Sequence, residues 1–141
     1  MSSAAIRAQI RIVEQKLVKV KQQIAKCKEL LAELKKVSEE TFESVYNLKN
    51  ALLKLSLGLT IGGKTCGGEQ INERITSLGK FHSATEEAIG IVQKKLAELE
   101  AEKESLEAEL VALRAALAAA LAAEAEAAAR RNNRALTGYK Y

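Results

Sequence analysis

Proline and tryptophan are absent, aromatic residues make up only 4% of the chain, and all 18 acidic residues are glutamate. Strands draw on β-branched and aromatic side chains, which are scarce here, so a sheet protein is disfavoured. The lack of aspartate closes every chemistry that depends on that residue, and glutamate is the better helix former of the two acids. What remains is dominated by Ala, Leu, Glu, Lys and Arg, the composition of a coiled coil or long helix rather than of a compact fold. At 141 residues the chain fits one domain.

The net charge of +4 is modest, and its distribution is more informative than its sum. Residues 1–57 hold 11 basic and 6 acidic side chains, a net of +5, whereas residues 71–129 hold 6 basic and 11 acidic, a net of −5. A nucleic-acid binder shows a concentrated basic face. Complementary halves point instead to segments that lie against each other or against matching partners, and no nucleic acid is expected.

Cysteine occurs twice, at Cys27 and Cys66. The hairpin argued below separates them too far for one disulfide, so reduced thiols and a reducing compartment are expected. The first residues, MSSAAIRAQIRIVEQK, have no uninterrupted apolar core for a cleavable signal. No stretch approaches the ~20 apolar residues of a membrane span, and stable membrane insertion is not expected. A cytoplasmic protein follows as the expectation, with export beside a client by a signal-less route left open.

Stepping alternately by four and three from Ile6 meets Ile10, Val13, Leu17, Val20, Ile24, Cys27, Leu31 and Leu34. The walk continues through Ser38 and Thr41 to Val45, Leu48, Leu52, Leu55 and Leu59. This heptad repeat predicts a coiled-coil seam. GLTIGGKTCGG, residues 58–68, carries five of the eight glycines and ends the pattern. The walk resumes with Ile71, Ile75, Leu78, His82, Thr85, Ile89, Val92, Leu96, Leu99, Lys103, Leu106, Leu110, Leu113 and Leu117.

Two long amphipathic helices joined by one loop fold back on each other most economically. The expected fold is all-α, a long antiparallel two-helix hairpin. Its single domain comprises a helix over 4–57, a glycine-rich turn over 58–70, a helix over 71–131 and a flexible basic tail over 132–141. If the turn centres near residue 64, facing residue numbers total about 127. Ser38 then meets Ile89, Thr41 meets Thr85, Val45 meets His82 and Leu121 meets Ile6. At 1.5 Å per residue a stem of some 55 residues would run ~80 Å. Gly79 has the character of a helix C-cap, and Ser83 with Glu86 has capping-box spacing, so a kink in the second helix near 79–83 is expected.

Gly58 to Thr65 matches G-x-x-x-x-G-K-T, the phosphate-binding loop of nucleotide hydrolases. That loop needs a buried parallel strand before it, a helix opening at its Lys-Ser/Thr end, and an aspartate for magnesium. Here a heptad helix precedes it and no aspartate exists, so a glycine-rich turn is the better reading. His82, the only histidine, lies on the seam with nothing to complete a triad or a metal site, and reads as a polar layer that fixes register. Lys103 reads as a seam lysine whose stem reaches outward. Glu39 with Glu40, and Glu86 with Glu87, diverge by about 100° on a helix and do not converge on a substrate. No residue set points to catalysis, a cofactor or a metal.

Apolar residues beyond the seam carry the interaction reading. Leu30, Val37, Phe42 and Phe81 flank it around the polar positions, and Leu48, Leu52, Leu53, Leu55, Leu57 and Leu59 enrich the turn end. Two helices cannot cover so wide a stripe, so a third surface should. The candidate binding residues are Leu30, Val37, Phe42, Leu48, Leu52, Leu55 and Phe81.

The architecture resembles the small helical proteins of bacterial type VII secretion, and most of all the partners of LXG toxins. The likeness spans the basic first helix IRIVEQKLVKVKQQIAKCKELLAELKKV, the glycine-containing turn, and the second helix through LAELEAEKESLEAEL. GLTIGGKTCGG stands where the wider superfamily has Trp-X-Gly, and no Tyr-x-x-x-Asp/Glu export signal is evident. The resemblance implies a targeting chaperone that pairs with a toxin's helical domain in an export-competent bundle. A self-assembling structural coiled coil, as a bundle or filament, is the alternative.

Overall fold

In a computed structural model the 56 residues Ser3–Gly58 form one helix, α1, and the 71 residues Gly68–Gly138 form a second, α2. The structure describes residues 1–58, 60–61, 64–65 and 68–138, with side chains described for 1–54 and 69–134. Two short strands, β1 (Thr60–Ile61) and β2 (Lys64–Thr65), pair antiparallel between the helices, Thr60 with Thr65 and Ile61 with Lys64. The fold is the all-helical antiparallel hairpin that the heptad walk predicts, with this ladder as the only strand pairing among the described residues.

α1 starts where its caps allow. The Ser2 hydroxyl accepts the Ala5 N–H at 3.2 Å, and the Ser2 carbonyl accepts the Ile6 N–H at 3.1 Å, which makes Ser2 the N-cap. α2 passes through residues 79–83 without a restart, and Ser83 lies inside the helix rather than at its start. It also continues through Gly138, past the expected end at 131.

The chain divides into two compact units, Met1–Ile24 with Leu99–Tyr141, and Ala25–Glu98. In the first, α1 buries Ile6, Ile10, Val13, Leu17, Val20 and Ile24, and α2 buries Leu99, Leu106 and Leu110. All nine lie on the predicted seam, and full burial of such a side chain contributes about 1.5–3 kcal/mol. Lys103 is half-buried on the same seam with its ammonium 4.0 Å from Glu107, as a long stem reaching to water permits. Glu14 and Arg114 face each other across the helices at 3.7 Å. Leu121, expected opposite Ile6, is exposed instead. The alternation of four and three carries the seam from Leu117 to Ala120, and both are half-buried.

In Ala25–Glu98 the same repeat is covered less well. Among the described side chains Ile89 is the one buried large apolar residue there, while Leu31, Leu34, Val45, Leu48, Leu52, Ile71, Ile75, Leu78, Val92 and Leu96 are all half-buried. Cys27 is a half-buried free thiol, and Cys66 lies outside the described residues. Besides Ile89, the buried positions at the middle of this unit are polar, namely Ser38, Thr41 and Thr85.

Candidate partner-binding surface

Three hydroxyls placed in a seam each need a partner. Thr41 donates to the Val37 carbonyl at 2.7 Å and Thr85 to the Phe81 carbonyl at 2.9 Å, so each is satisfied by its own helix one turn back. Ser38 reaches across instead, donating to the Glu86 carboxylate. Its single proton is then spent, and its lone pairs face His82 Nδ1 at 3.5 Å. His82 Nε2 lies 3.9 Å from Glu86, and the His82 ring centroid is 6.0 Å from that of Phe42. No described side-chain polar atom is buried without a hydrogen bond.

This layer is where polar seam residues were expected to gather. Ser38 bonds to Glu86 and lies beside His82, and His82 also lies by Phe42. In the ladder at the turn, facing residue numbers total 125, close to the expected 127.

The predicted binding residues separate into groups. Leu30, Phe42 and Phe81 are exposed, at 46%, 63% and 52%. Val37, Leu48 and Leu52 are half-buried, and the side chain of Leu55 lies outside the described residues. Phe42 directly follows a seam residue, Thr41, whereas Phe81 directly precedes one, His82, so the two fall on opposite flanks of an antiparallel seam. Leu30 and Val37 likewise precede seam residues and share the Phe81 flank. Phe42 belongs to a different row, with Tyr46 and Leu53, exposed by 59% and 60%. Tyr46 was not singled out from the sequence, although its spacing of four from Phe42 and seven from Leu53 was available there.

Leu59, Gly62 and Gly63 of the phosphate-loop match lie outside the described residues. Of the rest, Gly58 closes α1, and Thr60–Ile61 pairs antiparallel with Lys64–Thr65 as β1 and β2, so Lys64 and Thr65 do not open a helix, since α2 begins at Gly68. Among the described residues no group of three or more His, Cys or acidic side chains is placed to hold a metal ion. No helix searched among them is long and apolar enough to cross a membrane.

The surface is thus that of an antiparallel helical hairpin, half-covered along Ala25–Glu98 and carrying large apolar side chains on both flanks. The chain matches no protein-family model, and no curated protein or solved structure matches it.

Proposed function

We propose that the protein is a non-catalytic helical binding partner, a targeting chaperone whose Ala25–Glu98 unit pairs with the helices of a client. The observation that carries this reading is the contrast between the units. One heptad repeat runs through both, yet in the first unit its large apolar residues are buried except Leu113 and Leu117, whereas in the second every described one but Ile89 is only half-buried, beside exposed Leu30 and Phe81. A helix laid along the Leu30, Val37 and Phe81 flank would cover both the flank and the open side of the seam, as helix-in-groove recognition requires.

The client class follows from the resemblance to partners of LXG toxins, and a toxin's helical N-terminal domain destined for type VII secretion is the proposed occupant. Synthesis in the cytoplasm and export with that client belong to the same proposal.

The test is co-expression with the products of adjacent genes, followed by purification and mass in solution. The expected result is a defined heteromer that survives in the parent chain and is lost in Phe81→Glu and Leu30→Glu. A chain that joins none of those products, or a heteromer indifferent to both changes, overturns the reading.

A further inference from the structure

We propose that a second copy of this chain docks antiparallel along the outer face of α1 between Glu39 and Lys54, over Phe42, Tyr46 and Leu53. The three side chains are exposed by 63%, 59% and 60%. With Lys49 they follow steps of four, three and four, which line residues up along one face of a helix. The row is a second seam. Each member follows a residue of the intramolecular seam, Thr41, Val45, Leu48 and Leu52, and so points about 100° away from it.

The occupant is set by charge. Glu39, Glu40 and Glu43 stand at the start of the row and Lys49 and Lys54 at its end, all exposed. None of the five appears in an ion pair among the described residues. An isologous interface demands a surface complementary to itself under a two-fold rotation. Laid antiparallel, with Phe42 facing the copy's Leu53 and Tyr46 facing the copy's Lys49, this row brings Glu43 near Lys49 and turns its acidic start toward the copy's basic end, and the same contacts recur on the other side. The Lys49 stem then covers the Tyr46 ring with its ammonium within reach of the ring face. A parallel copy would set glutamate against glutamate and lysine against lysine, which is unfavourable. Lys35 and Lys36 lie outside the overlap. The inference is independent of the client reading, which uses the other flank.

Sedimentation of the purified full chain over a range of concentrations tests it, with circular dichroism showing that each variant keeps its helix. The parent chain is expected to dimerise, and Tyr46→Glu to weaken the dimer at least tenfold at unchanged helicity. Glu43→Lys should also weaken it, and adding Lys49→Glu should restore it. A parent chain that stays monomeric, a dimer unmoved by Tyr46→Glu, or a double variant that does not recover would overturn the proposal. So would a monomeric chain whose heteromer with a neighbouring gene product is abolished by Tyr46→Glu, because the row would then belong to the client.

Discussion

The Glu124 carboxylate accepts both the backbone N–H of Ser3, at 3.0 Å, and the Ser3 hydroxyl, at 2.8 Å, across 121 residues of chain. α2 therefore caps the first turn of α1, where free N–H groups and the helix dipole favour a negative charge. The Ser3 bonds, backbone first and hydroxyl second, lower the pKa of Glu124, with a smaller contribution from Arg7.

The sign of the pH effect follows from that lowered value. A carboxylate easier to ionise in the folded chain than in the unfolded one contributes stability above the usual glutamate range, about 4.3. The contribution fades as pH falls through the folded value. Amide protection at the start of α1 is expected to be constant from neutral pH to about 5 and to fall below it. Glu124→Gln should lower that protection at neutral pH, and hydrogen exchange by mass spectrometry reads both effects.

Leu99 is 2% exposed and Leu121 is 39% exposed. Leu99→Ala should cost about 2–3 kcal/mol, the low end for a buried leucine because a two-helix seam can close on the gap. Leu121→Ala should stay within about 0.5 kcal/mol. Urea denaturation of the two variants measures the difference.

At Gly79 and Gly90 an added Cβ meets nothing within 4 Å, and both lie inside α2. Alanine at either position should stabilise the chain by about 0.5–1 kcal/mol through the unfolded state and helix propensity. A loss of stability at residue 79 would show that the helix breaks there after all. Thermal melts of the single variants decide it.

Thr41→Val with Thr85→Val removes two hydroxyls that bond only to their own helix, and keeps shape. The pair is expected to raise stability by about 1 kcal/mol, as apolar replacement of buried polar groups often does. Thermal melts in the same buffer measure it.

These expectations also mark how far the sequence could be read. The seam was legible because every buried large apolar residue among those described, from Ile6 to Leu110, obeys one repeat, and periodicity is a local property. The pairing of Ser38 with Glu86 was not, because register depends on the ladder at 60–65, and a shift of a few residues leaves the heptad intact. The unbroken helix at Gly79 was hidden for a similar reason: tertiary packing overrides one unfavourable residue. The division of Phe42 from Phe81 needed only their places beside Thr41 and His82. The half-burial of Leu31, Leu34 and Val45 was beyond reach, since the repeat is the same where it is buried and where it is not.

The account rests on α1 and α2 running antiparallel side by side. Spin labels at residues 9 and 116, exposed positions in the first unit, test this most directly, with Cys27 and Cys66 replaced and the labelled chain diluted in unlabelled protein. Helices packed at 8–10 Å between axes predict a single narrow distance of about 10–20 Å. A broad distribution, or a separation beyond about 50 Å as in an opened chain rising 1.5 Å per residue, would contradict the hairpin.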